Sequence, residues 1–215
     1  MKTILFMFLF LEISSITFEG IDVSAWQGTI NWPEVAKSKY FAIIRAGTGS
    51  SNIDTYWESN YSKAKSAGVK VGAYWYSYAK SDSDARNEAK TFLKALSGKK
   101  LEWPVYYDIE EKSIFNSGIT NSIAKTFCDI MESNHYYCGI YSSTATFNSY
   151  FNADIKTRYT IWLAHWDVVR PTYGGAYDLW QKKIGRCNGV NGDVDLDEGY
   201  KNFEPIMKQN HLNGY

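Results

Sequence analysis

Eight short β-rich runs, separated by polar or helix-patterned segments and never by a linker, set the tightest limit on how this chain folds. They span residues 20–24, 41–46, 70–78, 105–109, 137–142, 159–164, 178–182 and 193–196. Several of the intervening segments carry helical periodicity. In SDSDARNEAKTFLKALSG the apolar positions Ala85, Ala89, Phe92 and Leu96 fall on one 3.6-period face, with Asp82 or Ser83 placed to cap its start and Gly98 to end it. DTYWESNYSKAKSAG and ITNSIAKTFCDIMES read the same way. Strand–helix alternation in one undivided domain predicts a parallel sheet with crossover helices.

Eight strands in roughly 195 residues lie at the small end of the range for a closed barrel, so the expected fold is α/β, a single compact, irregular TIM-like (β/α) barrel with some helices short or missing. The loop between the runs at 159–164 and 178–182, with Pro171, Gly174 and Gly175, is one place without a helix. A doubly wound open sheet is the structural alternative, but its nucleotide fingerprint is missing. AGTGSSN after the second run has neither GxGxxG spacing nor a P-loop lysine, and reads as a tight turn.

The N-terminus has a different character. Lys2 precedes an unbroken apolar run over residues 4–11, far shorter than the roughly 20 residues a bilayer span needs. It matches the apolar core of a secretory signal peptide over residues 1–18, cleaved between Ser15 and Glu19, which leaves a catalytic domain over 19–215. The expected location is therefore secreted, or the lumen of a vesicle or lysosome-like compartment, with no membrane attachment after signal removal. With 23 basic and 23 acidic residues, nothing pulls the chain towards nucleic acid. A monomer is expected.

Three cysteines suit an oxidising compartment. Cys128–Cys138 is the simplest bridge because it closes a short loop, with Cys187 then free, although spacing does not settle the pairing. His135, His165 and His211 are scattered, so no metal site and no cofactor are expected. Asn60-Tyr61-Ser62 is a sequon and would accept an N-linked glycan in a eukaryotic host.

Chemistry concentrates at strand ends. Side chains alternate along a strand, so in VYYDIE the residues Val105, Tyr107 and Ile109 face one way and Tyr106, Asp108 and Glu110 the other. Asp108 and Glu110 then share a face with Cα atoms roughly 6.6 Å apart. In GIDVS, Asp22 and Ser24 oppose Ile21 and Val23. In GDVDLDEGY, Asp193, Asp195 and Asp197 alternate with Val194 and Leu196. In a barrel these acids meet at the C-terminal mouth, where barrel enzymes build their sites. Asp197 and Glu111 read as turn or surface residues, in keeping with the usual place of acids at strand ends. Clustered carboxylates without a metal site or a GxSxG elbow point to glycoside hydrolysis: crowding keeps one acid protonated to serve the glycosidic oxygen, while an ionised neighbour stabilises positive charge at the sugar. The 8 Trp, 17 Tyr and 11 Phe mostly build a core, and the surplus suits a sugar-binding groove.

GIDVSAWQGTINWPEV, FAIIRAG, GAYWYSYA, PVYYDIE, YCGIYSS, WLAHW, LWQ and VNGDVDLD, in that order from about Gly20 to Phe203, resemble glycoside hydrolase family 25, the Chalaropsis-type lysozymes. The resemblance implies an irregular β/α barrel that hydrolyses the β-1,4 bond between N-acetylmuramic acid and N-acetylglucosamine in bacterial peptidoglycan. It makes Glu110 the general acid, Asp108 its partner carboxylate, Asp22 a cleft acid on the first strand and Asp195 an acid at the cleft floor. Tyr74, Tyr106, Trp162 and Gln181 fall on matching segments as substrate contacts or as residues that position the carboxylates. The chain departs from the family where many relatives carry K-A-T/S-E-G. Here RAGTG places Arg45, Gly47 and Thr48, so cleft contacts are expected to differ. A chitinase-like hydrolase, which also uses a D-x-E strand, and a non-catalytic glycan-binding protein are the alternatives.

Overall fold

The structure is a computed structural model that describes residues 16–117 and 119–215. The signal-peptide segment expected over residues 1–18 falls almost wholly outside the described residues.

Among the described residues nine strands make one sheet: β1 (Phe18–Val23), β2 (Phe41–Thr48), β3 (Asn52–Ile53), β4 (Lys70–Tyr76), β5 (Val105–Asp108), β6 (Cys138–Ser143), β7 (Thr160–Ala164), β8 (Leu179–Gly185) and β9 (Val194–Gly199). Their order is β1-β9-β8-β7-β6-β5-β4-β2-β3, and an additional β1–β2 pairing closes eight of them into a barrel. The expected barrel is present, with one correction to its parallel sheet. β9 runs antiparallel to both β8 and β1. Only a short loop joins β8 to β9, so no crossover can bring the chain back parallel. β3 is a two-residue strand folded back on the end of β2, too short to show a period of its own.

Helices α1 (Trp32–Val35), α2 (Trp57–Ser66), α3 (Asp82–Leu96), α4 (Lys112–Ser117), α5 (Thr120–Ser133), α6 (Thr144–Tyr150), α7 (Ala153–Arg158) and α8 (Glu204–Gln209) lie around the barrel. The cap of α3 is Ser81, whose side chain accepts from the Asp84 N–H, one residue earlier than the sequence pattern places it. Among the described residues no helix stands between β7 and β8, as the Pro/Gly loop implies.

Alternation along the strands sorts two apolar cores. Val105, Tyr107 and Ile109 pack outward with Ala89, Phe92 and Phe127 of the helices. The Tyr107 ring stacks on Phe127 at 3.7 Å, and its hydroxyl donates to Glu88 at 2.6 Å. Tyr106 points inward with Phe41, Ile43, Tyr74, Tyr141 and Trp162. Phe203 and Met207 pack with this inner core, and Asn213 binds Tyr137 N and Trp103 O, so the C-terminal segment seals the N-terminal ends of these strands. The opposite mouth is left open for chemistry.

Two covalent expectations meet this packing. Cys128 and Cys138 face each other from α5 and β6, sulfurs 2.8 Å apart and both buried, as free thiols. Asn60 lies on the buried face of α2 with Trp57 and Ala64, is 2 % exposed, and accepts from Trp32 Nε1 at 3.3 Å. The sequon therefore offers no room for a glycan in the folded chain.

Candidate active site

A cleft of about 320 Å³ opens at the C-terminal mouth, lined by Asp22, Asp108, Glu110 and Asp195 together with Arg45, Tyr74, Tyr76, Tyr141, Trp162 and Gln181. The four acids predicted from three strand ends are thus brought into one cavity. β1 and β9 set Asp22 directly opposite Asp195 in the ladder, while Asp108 ends β5 and Glu110 follows two residues on.

Their surroundings differ. Asp108 is buried, and no side-chain N–H or O–H of the described residues satisfies its Oδ1. Burial, and then the neighbouring Glu110, push its carboxyl well above the usual range, with the Arg45 guanidinium opposing them. The sequence leads one to expect an ionised acid beside a protonated one. The setting of Asp108 in this structure instead favours the proton. Glu110 is exposed to the cleft and is also raised, by desolvation first and then by Asp195 and Glu111. Desolvation likewise raises Asp195. Asp22 is raised well above normal by burial, then by Asp197 and Asp195.

Gln181 organises the floor. Its Nε2 donates to Asp22 Oδ2 at 2.8 Å, and its Oε1 accepts from Tyr141 Oη and Trp166 Nε1, both at 2.8 Å. Three strands and a loop are thereby tied to one carboxylate. Tyr74 and Trp162 also line the cleft, their rings edge-on at 5.8 Å. Tyr106 does not. It is fully buried behind Trp162, ring centroids 5.3 Å apart, and belongs to the inner core rather than to a substrate surface.

The RAGTG departure has a local cause. β2 bulges between Arg45 and Gly47 where it pairs with β4. A Cβ at Gly47 would sit 2.3 Å from Asn52 O and 2.5 Å from the Trp75 ring, so threonine or serine is excluded there. The bulge turns Arg45 into the cleft wall, where its Nε donates to Asp54 Oδ2 at 2.8 Å. Asp54 also accepts from Ala25 N and Tyr56 N, which fixes the turn carrying Trp26. Trp26 is 86 % exposed and Trp166 48 % exposed, and both rings stand at the cleft.

Sequence reasoning passes over Tyr141, Trp166 and Asp54, and misplaces Asp197. Tyr141 is within its reach, since alternation along YCGIYSS puts it on the inward face with Gly139. Asp197, which reads as a turn residue, is 0 % exposed and receives Trp162 Nε1 at 2.8 Å. Alternation puts it on the face of Asp195, but its depth is set by Trp162 and by β1, which are distant in sequence.

A closed β/α barrel carrying several acids and aromatic rings at the C-terminal mouth defines a carbohydrate-cleaving enzyme of the glycosidase class. The chain belongs to glycosyl hydrolases family 25, whose model matches residues 21–184. It is 31 % identical over 192 residues to the uncharacterized protein YegX of Escherichia coli, covering 86 % of this chain and 70 % of that one. It is 28 % identical over 182 residues to an autolytic lysozyme of Clostridium acetobutylicum, covering 84 % of this chain and 55 % of the relative. The crystal structure of a bacterial lysozyme from Streptomyces coelicolor superposes with a TM-score of 0.73 at 25 % identity, covering 88 % of this chain and 95 % of that one.

Proposed function

We propose that the protein is a lysozyme that hydrolyses the β-1,4 bond between N-acetylmuramic acid and N-acetylglucosamine in peptidoglycan, by a substrate-assisted route. The observation that carries this reading is the convergence of Asp22, Asp108, Glu110 and Asp195 on one aromatic-lined cleft. Glu110 reaches the open cleft and is raised, which suits the acid that protonates the leaving oxygen. Asp108 lacks a donor on Oδ1 among the described residues, and an N–H from the 2-acetamido group would supply one. That bond favours the ionised carboxylate, so the substrate itself lowers Asp108 as it binds. The acetamido carbonyl, polarised in this way, attacks the anomeric carbon as Glu110 gives its proton to the departing oxygen. Water then opens the resulting ring with Glu110 as base, and the configuration is retained.

The enzyme acts outside the cytosol, as a secreted or vesicle-lumen monomer. The apolar run after Lys2 supports the first part, and among the described residues no helix is long and apolar enough to cross a membrane.

Mass spectrometry of fragments from purified peptidoglycan identifies the bond cut, and NMR of the first product gives its anomer. Muramic acid at the new reducing end, formed as the β-anomer, is expected. Reducing-end N-acetylglucosamine, or release from chitin alone, would overturn the substrate assignment, and an initial α-anomer the mechanism. Glu110→Gln is expected to abolish release while thermal unfolding stays unchanged.

A further inference from the structure

Asp197 is the most buried acid near the cleft, and the mechanism gives it no step. In the β1–β9 ladder it stands opposite Gly20, diagonal to Asp22 on the same inward face, and in the β8–β9 ladder it faces Gln181. Diagonal pairs of this kind are within side-chain reach. Trp162 Nε1 donates to its Oδ1 at 2.8 Å, while its Oδ2 is buried with no N–H donor among the described residues. The Asp22 carboxyl is the diagonal neighbour of this orphaned oxygen, and a hydrogen bond between the two carboxyls would satisfy it. Two carboxyl groups make such a bond only if one of them carries a proton, because two carboxylates offer acceptors alone.

We propose that Asp197 is a positioning residue that shares one proton with Asp22, fixing the Asp22 carboxyl between Asp197 and Gln181 so that it faces the cleft in a single orientation. Trp162 would then be held by the same group, its indole N–H bound to Asp197 and its ring against Tyr74, Tyr106 and Tyr141. One buried proton thereby links a cleft acid to a cleft ring.

Asp195, from the same strand, faces this pair and favours retention of the proton, while the Gln181 and Trp162 bonds oppose it, and the hydroxyls of Tyr74, Tyr106 and Tyr141 face the pair from β4, β5 and β6. Lys39, before β2, is the cation whose field reaches Asp197 and opposes it. Burial raises Asp197 from 3.8 to about 8, against the lowering effect of the Trp162 bond. The native state thus binds a proton that the unfolded chain has released between about pH 4 and pH 8, so this group's share of stability falls as pH rises through that window.

Asp197→Asn tests the proposal, because the amide can donate to Asp22 and accept from Trp162 as the protonated acid does, yet cannot ionise. The difference in Tm between Asp197→Asn and wild type, measured from pH 4 to pH 8, is expected to widen in favour of the variant by at least about 3 °C. A difference that stays constant across the window would overturn the shared proton. In a turbidity assay at pH 6, Asp197→Ala is expected to lose at least about tenfold in kcat, and Asp197→Asn to recover most of it. Equal loss in both variants, each shown folded by its unfolding transition, would overturn the positioning role. The kinetic arm rests on the lysozyme reading. The Tm arm uses no substrate, so failure of the two is distinguishable.

Discussion

Gln181 and Asp22 are joined by a 2.8 Å hydrogen bond, Nε2 to Oδ2, although β9 lies between the strands that carry them. The bond spans the barrel interior rather than a ladder, so the closure of the barrel and the aim of Asp22 depend on each other. The other end of the same amide is fully engaged by Tyr141 and Trp166, which leaves it no freedom to flip.

Gln181→Leu, close in volume, removes all three bonds. A hydrogen bond to a charged group contributes about 1.5–3 kcal/mol, so kcat/KM is expected to fall at least about tenfold. Loss of the amide also raises Asp22 further, since the Gln181 bond is the one influence that lowers it. Steady-state kinetics on solubilised peptidoglycan beside a thermal melt checks this. A variant with wild-type kinetics would remove Gln181 from the site.

Tyr107→Phe addresses stability away from the cleft. The Tyr107 hydroxyl donates to Glu88 Oε2 at 2.6 Å and receives Ser77 Oγ at 2.8 Å, and all three residues are at most 1 % exposed. Glu88 is raised by burial and lowered by this bond. Without the hydroxyl one carboxylate oxygen of Glu88 loses its side-chain donor, at a cost of about 1–3 kcal/mol. Tm is expected to drop by about 2–12 °C, with kcat/KM unchanged at temperatures where the variant is folded.

Much of this site is legible in the sequence. The face of Asp108 and Glu110 follows from a period of two, because Val105, Tyr107 and Ile109 must meet the helices. What that period cannot give is depth. Tyr74 and Tyr106 both point inward, yet Trp162 covers only Tyr106, and the same applies to Asp195 at the cleft and Asp197 beneath it. Depth depends on rings contributed by distant strands. The antiparallel setting of β9 is hidden for a related reason, since residues 194–199 choose partners far away in β1. Asn60 is different: Trp57, Asn60 and Ala64 follow helical spacing, and its burial can be read from them.

The buried neighbours Cys128 and Cys138 make an oxidation test informative. Chain recovered from an oxidising medium is expected to carry a Cys128–Cys138 bridge with Cys187 alkylatable after unfolding. Peptide mapping without reductant checks it. Closing a short loop of this kind stabilises by about 2–4 kcal/mol in the usual case, so reductant should lower Tm. Peptides with both cysteines alkylated would refute the pairing.

Arg45 is expected to influence the pH at which the cleft works, because its guanidinium lowers Asp108. In the proposed mechanism the active form has Glu110 protonated and Asp108 ionised, and both acids are raised. The two limbs of the kcat/KM profile then report the pair rather than either residue. Arg45 is the group that lowers Asp108, so Arg45→Gln lets Asp108 rise. Whichever acid ionises first, raising either one raises the mean of the two apparent values, and the optimum moves to higher pH. A loss of about 1.4 kcal/mol of interaction raises Asp108 by about one unit, and so moves the optimum by about half a unit, with a lower maximum. Arg45→Lys keeps the charge without the guanidinium's planar contact to Asp54, and is expected to return most of the shift while leaving KM altered. Profiles for wild type and both variants, measured at constant ionic strength, decide it. An optimum that moves down, or moves equally for Gln and Lys, would show that Arg45 acts by shape and not by charge.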